Sequence, residues 1–424
     1  MKEPETAMET FSSNRRQFLG QTIGLAGAFA AVQAQAQGTD EPRPLQPKGA
    51  ARQVSPGKSD GGAVPLAPPD KQPPDLKVPD APERKLGWAI VGLGQLALEE
   101  IMPAFGGCKL AKPVALVSGH PDKARRVALA YGIAADAIYN YENYDKLAED
   151  KRVDVIYIVL PNSMHAEFTI RGLKAGKHVL CEKPMAGSVK DAEEMIAAAE
   201  ATGKKLGVAY RLHYEPLNQK VMEMCKERKF GAIKTFVSSN CQDVKAPNIR
   251  LSGALKGGPL GDVGVYSINA ARYVIGEEPV EVSAFEHTPS DDDRFREVPE
   301  SVTFQMRYPS GVLAHCDCSF GSAESRFYTV HCVKGTIGMD PSFSYRGLKL
   351  WVREGDPKKG NGEKADLLIP QVDHFAAEMD GFSEALLQDK HIRTPGSMGL
   401  ADMRIVAAIE ESVKTGQPVR LSPV

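Results

Sequence analysis

The stretch LGWAIVGLGQLALEEIMPAF, Leu86 to Phe105, decides the fold. Gly87 to Val91 is an apolar run of strand length, and from about Gln95 the composition turns helical. Between the two stands Gly92-x-Gly94-x-x-Ala97. In a strand, turn and helix unit, Gly92 permits the tight turn, Gly94 lets backbone approach a pyrophosphate, and the small Ala97 lets the helix pack on the strand. The first helical N–H groups, at Gln95 and Leu96, then face a phosphate together with the positive end of the helix dipole. The stretch predicts the first unit of a dinucleotide-binding α/β domain.

The next segments of the chain extend that unit. PVALVSG (113–119) and VDVIYIVLP (153–161) read as further buried strands, with helical stretches between. A carboxylate at the end of the second strand would bind the ribose hydroxyls of NAD and repel a 2′-phosphate. The chain has Ser118 and Gly119 there, then His120, Lys123, Arg125 and Arg126. A small hydroxyl with cations beside it suits a phosphate, so the expected cofactor is NADP. Arg125 and Arg126 also fit the solvated face of a helix beginning near Pro121.

Two more segments point at the same sheet edge. LPNSMHAEF (160–168) ends the third strand with Pro161-Asn162 and starts a helix near Ser163, with His165 in its first turn. AGKHVLCEKPMA (175–186) reads as a strand over Lys177 to Cys181 that delivers Glu182, Lys183 and Pro184 to the carboxyl edge, where open α/β sheets bind ligands.

Outward from this core, the first residues read differently. NRRQFLGQTIGLAGAFAAVQAQA, Asn14 to Ala36, joins two arginines, an apolar run and an Ala-x-Ala end, the pattern of a twin-arginine signal peptide over residues 1–36. Residues 37–84, rich in Pro, Gly, Lys and Asp, read as an extended arm. No other segment reaches the ~20 apolar residues of a membrane span, so the expectation is a soluble mature protein in the periplasm. A net charge of −2 with scattered basic residues leaves no footprint for nucleic acid or an anionic membrane. Seven cysteines, an odd number set mostly in apolar runs, make a poor disulfide framework, and Cys316-Asp317-Cys318 lacks common metal spacing, so no metal site is expected.

The second half alternates with period two at Val302-x-Phe304-x-Met306-x-Tyr308 and in parts of GAIKTFVSSN, VEVSAF and GLKLWVR, which read as half-buried strands. GGPLGDVGVYSINAARYVIG (257–276) breaks the alternation and places Asp262, Tyr266 and Asn269 at helical spacing.

Taken in order, Gly92-x-Gly94-x-x-Ala97, Pro161-Asn162-x-x-His165 and Glu182-Lys183-Pro184 resemble the glucose–fructose oxidoreductase, inositol dehydrogenase and rhizopine-catabolism (Gfo/Idh/MocA) family, from about Lys85 to the end. The resemblance implies a Rossmann domain over 85–209. It also implies a C-terminal α/β domain over 210–424, built on a large, mostly antiparallel sheet that serves for oligomerisation. It implies cofactor contacts from Gly92, Gly94, Gln95, Leu96, Ser118, Lys123, Pro161, Asn162, His165, Glu182 and Lys183. Most family dehydrogenases carry an Asp and, four residues on, a His beside the substrate. This chain has Asp262 and Tyr266, which is similar to the glucose–fructose oxidoreductase branch, as is YRLHYEPLN (210–218).

Oxidising a sugar C1 hydroxyl to a lactone requires a group that takes the proton while carbon gives up hydride. The candidates are Tyr214 or Tyr266 as acid/base, Lys183 as the charge that tunes it and holds the hydroxyl, Asp262 as orienting carboxylate, and Arg211 and His213 as sugar-binding groups. An exported enzyme meets no nicotinamide pool, so the expected cycle keeps NADP tightly bound: one aldose becomes a lactone, a second sugar becomes an alditol, and the kinetics are ping-pong. The arm at 37–84 resembles one that covers a neighbouring subunit's nucleotide, which implies a homo-oligomer. Two alternatives remain: an exported NAD-dependent glycosidase of the same fold, disfavoured by Ser118, Lys123 and Tyr266, and a catalytically silent sugar-binding protein.

Overall fold

The apolar run Leu86–Val91 forms strand β1, buried at every residue but the first, in a computed structural model that describes residues 85–356 and 360–422. The expected leader and arm, 1–36 and 37–84, lie outside the described residues. At Gly92 the chain turns with φ of +95°, and a Cβ there would stand 2.2 Å from the Val159 carbonyl oxygen, so only glycine fits. Helix begins at Gln95 as expected, but it is π-wound over Ala97–Ile101 before the α-turn α1 (Met102–Ala104). Pro103 has no N–H to give, and Met102 N–H reaches back to the Ala97 carbonyl.

The chain continues through β2 (Ala111–Val117), α2 (Pro121–Ala130), β3 (Ile138–Tyr139), β4 (Val155–Ile158), α3 (His165–Lys174), β5 (His178–Glu182), α4 (Val189–Thr202) and β6 (Leu206–Ala209). These strands make one parallel sheet in the order β3-β2-β1-β4-β5-β6. The order reverses between β1 and β4, and a ligand cleft opens beyond the carboxyl ends of strands at such a point.

After α5 (Pro216–Lys226) come β7 (Ile233–Asp243), α6 (Val265–Ile275), β8 (Glu281–His287), β9 (Ser301–Arg307), β10 (Leu313–Ser319), β11 (Gly321–Cys332), β12 (Gly335–Met339), β13 (Leu350–Asp356) and β14 (Gly360–Leu367). Helices α7 (His374–Leu387) and α8 (Gly396–Thr415) and strand β15 (Val419–Arg420) complete the chain. A second sheet of nine strands runs β14-β13-β12-β11-β7-β10-β9-β8-β15. Its neighbours are antiparallel except the parallel pair β7 and β10. The expected alternation holds on β9, where Val302, Phe304 and Met306 are buried and Thr303, Gln305 and Arg307 are exposed. The inward row packs with Ile268, Ala271 and Val274 of α6 and Ile405 and Ile409 of α8. Burying each such side chain stabilises the fold by about 1.5–3 kcal/mol.

The two sheets divide near residue 210, yet their cores do not divide there. Helix α7 returns to the parallel sheet: Phe375, Met379 and Phe382 join its core, Trp88 donates its indole N–H to Ser383 Oγ at 3.2 Å, and the Asp380 carboxylate accepts the N–H groups of Lys109 and Leu110 at 2.7 and 2.8 Å. A parallel sheet needs both faces covered, and a distant segment meets part of that need here. All seven cysteines are free thiols, six buried and Cys332 half-buried. No helix among the described residues is long and apolar enough to cross a membrane.

Candidate active site

Strand β5 ends on buried Glu182, and the next residue, Lys183, leaves the sheet edge toward the second sheet. There Lys183 Nζ donates to Asp262 Oδ1 at 2.9 Å and to the Asp262 carbonyl at 2.8 Å. Asp262 lies on the π-wound turn Leu260–Gly264 that leads into α6. Gly264 permits that turn to approach β10, since a Cβ there would stand 2.9 Å from Cys318 Sγ. The other Asp262 oxygen accepts from Arg250 Nε at 2.6 Å. Burial alone would raise the Asp262 pKa, but the charges of Lys183 and Arg250 outweigh it and hold the carboxyl well below the usual carboxylate range. Burial likewise works against the Lys183 ammonium, and Asp262 with its neighbours more than restores it.

Tyr266 stands one turn beyond Asp262, and Lys183 Nζ lies 4.8 Å from its ring centroid. On another side the Arg211 guanidinium lies 5.3 Å from that centroid, with Nη2 3.5 Å from the tyrosine hydroxyl. Arg211 is buried and committed elsewhere: it donates to the carbonyls of Phe343 at 2.6 Å and Ser344 at 3.3 Å, and to His374 Nδ1 at 2.9 Å. It also stacks on Tyr345 at 4.6 Å. Both Nη groups are spent on protein, while the buried Nε has no hydrogen-bond partner among the described residues, so the guanidinium is placed to support Tyr266.

The rest of the turn Arg211–Tyr214 points into other surroundings. His213 Nε2 pairs with Asn269 Oδ1 at 2.8 Å, its ring lies edge-on to Tyr273, and burial pushes its pKa down to about 4. Tyr214 shares a hydrogen bond with Thr394 Oγ1 at 3.4 Å, lies under the Arg393 guanidinium, and is pushed up to about 12 by burial. None of these contacts involves Lys183, Asp262 or Tyr266. The structure thus brings Lys183, Asp262 and Tyr266 together and places Tyr214 and His213 among other partners. All four side chains of this short turn are buried. Asn269, at helical spacing from Tyr266, faces His213 and Asp402 instead of the site.

Arg250 and Tyr345 are the residues that sequence reasoning missed. Arg250 lies in the loop between β7 and α6, which has no periodicity to place it. That loop also reaches the first sheet: Asn162 Nδ2 donates to the Lys256 carbonyl at 2.7 Å and Ser163 N–H to the Leu255 carbonyl at 3.3 Å. Tyr345 precedes β13, and the Arg211 guanidinium fixes its ring.

At the nucleotide end, a Cβ on Gly94 would meet no atom of the described residues within 4 Å, so among them the turn leaves an open cradle at the helix start where Gln95 is exposed and Leu96 half-buried. Lys123 Nζ is drawn over this turn, donating to the Leu93 carbonyl at 3.2 Å. Arg125 instead pairs with Asp122 on the exposed face of α2, and Arg126 is exposed as well. Buried Ser118 accepts the His120 N–H at 3.1 Å and keeps its own hydroxyl hydrogen to donate. Open backbone, a hydroxyl and an ammonium at the end of β2 fit a 2′-phosphorylated dinucleotide.

Two expected cofactor contacts lie behind the cleft. His165 is buried between the carbonyls of Leu160 at 2.9 Å and Pro184 at 2.8 Å, and burial favours its neutral ring. It fastens the ends of β4 and β5 and presents neither nitrogen to a ligand. Glu182 accepts the Tyr157 hydroxyl at 2.8 Å and the Lys183 N–H at 3.2 Å, so it supports Lys183 from below. Among the described residues no group of three or more His, Cys, Asp or Glu is placed to hold a metal ion.

The chain has relatives of known family and fold. Residues 86–210 match the oxidoreductase family with NAD-binding Rossmann fold, and residues 218–338 match the GFO/IDH/MocA C-terminal domain. The chain is similar in structure to an aldose-aldose oxidoreductase from Caulobacter crescentus solved with glycerol, with a TM-score of 0.77 and 39% identity over 80% of this chain and 100% of that one. It is 29% identical to the D-xylose 1-dehydrogenase (NADP(+)) of Haloarcula marismortui, over 82% of this chain and 96% of that protein. A 3-ketoreductase from Actinomadura kijaniata, solved with NADP and TDP-benzene, superposes with a TM-score of 0.69 at 26% identity over 77% of this chain and 98% of that one.

Proposed function

The chain belongs to the GFO/IDH/MocA oxidoreductase family, and on that premise we propose that this sugar oxidoreductase converts an aldose to its lactone and a second sugar, fructose or another aldose, to an alditol with one captive NADP. The observation that carries this reading is the meeting of Lys183, Asp262 and Tyr266 at the carboxyl edge of the nucleotide-binding sheet.

The turn Gly92 to Leu96, Ser118, Lys123 and the Pro161-Asn162 segment would hold NADP, which when bound would supply a hydride acceptor for the first sugar and a hydride donor for the second. The chain's own residues manage the proton. Tyr266 takes the hydrogen of the C1 hydroxyl as a proton during oxidation and gives it to the carbonyl oxygen of the second sugar during reduction, so each cycle returns it to its starting state. Lys183 and Arg211 place positive charge on two sides of the ring where that transfer occurs. Lys183 holds the reacting oxygen, Asp262 orients the ammonium, and Arg250 fixes Asp262.

The twin-arginine pattern of residues 1–36 supports export of the folded, loaded protein to the periplasm. Outside the cytoplasm a released nucleotide would not be replaced, which supports tight binding and ping-pong turnover. For a homo-oligomer, the outward face of the nine-stranded sheet offers a surface on which Phe285 is 72% exposed. The deciding experiment denatures extensively dialysed protein and identifies the released nucleotide, then assays two sugars without added cofactor. Near-stoichiometric NADP(H) and paired lactone and alditol formation are expected. An empty site would point to a freely exchanging dehydrogenase, and bound NAD to redox-assisted glycoside hydrolysis.

A further inference from the structure

Beneath Lys183 lies a buried pair of carboxyls that the proton transfer at Tyr266 does not use. Glu182 Oε1 accepts the Tyr157 hydroxyl at 2.8 Å, and the same phenol oxygen lies 3.4 Å from Glu378 Oε2 on α7. Tyr157 and Glu378 are fully buried. A phenol has one hydrogen, and the shorter contact takes it. The second contact is attractive only if Glu378 brings a hydrogen of its own.

The surroundings of the two carboxyls differ in the same sense. Burial raises the pKa of Glu182 too, but Glu182 has two donors, Tyr157 and the Lys183 N–H, and the Lys183 charge beside it, which work against that rise. Glu378 Oε1 has no hydrogen-bond partner among the described residues. The groups facing Glu378 are Tyr157 and Glu182 from the parallel sheet and Arg211 and Tyr214 from the turn after β6. Arg211 is the only cation among them, and no ion pair joins it to Glu378 among the described residues. A carboxylate with one bare oxygen in such a place would be strongly destabilised, whereas a neutral acid is tolerated.

We propose that Glu378 is a protonated carboxylic acid at neutral pH and a positioning residue for the sugar reaction, acting through Tyr157 and Glu182 on Lys183. Burial, together with the Glu182 charge, pushes the Glu378 pKa well above its ordinary value, which agrees with this protonation. The hydrogen of Glu378 leaves that of Tyr157 wholly for Glu182, and Glu182 then holds the backbone from which the Lys183 ammonium extends. An ionised Glu378 would compete for the Tyr157 hydrogen and repel Glu182. The role in turnover rests on the sugar oxidoreductase reading; the protonation state does not.

The test has a spectroscopic arm and a kinetic arm. Infrared difference spectra at neutral pH should show a carboxylic-acid C=O band in the wild type that is missing in Glu378→Gln. If Glu378→Gln removes no such band, or if Glu182→Gln alone removes it, the proposal is overturned. In the kinetic arm, Glu378→Leu and Tyr157→Phe should each lower kcat on the order of tenfold, with little change in aldose KM, and Glu378→Gln should recover most of the loss because its amide can donate to Tyr157. Wild-type kcat in folded Tyr157→Phe overturns the positioning role even if the leucine variant fails to fold. A wild type without sugar turnover would count against the oxidoreductase reading and leave the infrared result to decide the state of Glu378.

Discussion

Lys183, just past strand β5, and Asp262, on the turn into α6, are 79 residues apart, yet they meet twice, through the Asp262 carboxylate at 2.9 Å and through its carbonyl at 2.8 Å. The double contact fixes the ammonium in direction as well as distance. It also ties the carboxyl edge of the nucleotide-binding sheet to the helix that carries Tyr266. With Arg250 on its other oxygen, Asp262 is a half-buried anion between two cations, and removing its charge leaves those cations without their partner.

Replacement of Asp262 by Asn should lower stability by about 3 kcal/mol and abolish most activity. The pH dependence has a defined form. The carboxyl is depressed in the fold, so its contribution is complete above its unfolded pKa near about 4 and fades as pH falls further. The Lys183 ammonium is raised in the fold, so its contribution is complete below about pH 10 and fades as pH rises beyond that. The difference in Tm between wild type and Asp262→Asn should therefore be level from about pH 5 to about pH 9 and shrink in more acid buffer. A marked change of that difference near neutrality would contradict the arrangement.

The two tyrosines offer a direct comparison. Tyr266→Phe should reduce kcat by about 10²–10⁴ with a small effect on aldose KM. Tyr214→Phe loses only a long hydrogen bond to Thr394 and should stay within about threefold of wild type. Steady-state kinetics of both variants with one aldose pair decides the matter, and the reverse pattern would return the acid/base role to Tyr214.

Glycines of one motif should fail in different ways. Gly92→Ala puts a Cβ 2.2 Å from the Val159 carbonyl at a φ of +95°, and should destabilise the protein by several kcal/mol or prevent folding. Gly94→Ala meets no atom of the described residues and should leave apo-protein stability within about 0.5 kcal/mol of wild type. Its methyl group enters the nucleotide's space, so binding of NADP should weaken by at least about tenfold. Calorimetric unfolding and nucleotide titration of the two variants separate fold from cradle; an unimpaired NADP titration in Gly94→Ala would move the pyrophosphate elsewhere.

Removal of Arg250 tests the loop that joins the sheets. Arg250→Ala leaves Lys183 as the sole cation on Asp262, and aldose kcat/KM should fall by about 10²-fold, a loss of about 3 kcal/mol in transition-state stabilisation. Arg250→Lys should restore only part, because a flexible ammonium does not reproduce the guanidinium geometry. Equal kinetics in wild type and Arg250→Ala would reduce the residue to a surface contact.

Legibility in the sequence differs from residue to residue. The apolar run of β1, the glycine turn, the delivery of Lys183 by β5 and the alternation on β9 follow from local rules, because a buried parallel strand, a positive φ and a half-buried strand each leave a mark within a few residues. The helical spacing of Asp262 and Tyr266 was equally local. Their meeting with Lys183 was suggested by family resemblance, and its geometry waited for the fold.

The sequence by itself determined the nucleotide-binding unit, the class of cofactor that Ser118 and Lys123 fit, and the identity of Lys183, Asp262 and Tyr266 as candidates. Tertiary structure alone placed Tyr266 beside Lys183 and Asp262 and Tyr214 beside Thr394, set Arg211, His165 and Glu182 among protein partners, and brought Arg250, Tyr345 and Glu378 into play. The physical reason is that hydrogen-bond direction and burial depend on groups distant in sequence. A tyrosine in a turn carries no record of whether its hydroxyl will meet Thr394 or a sugar, and an arginine in an aperiodic loop carries none of the carboxylate that will hold it.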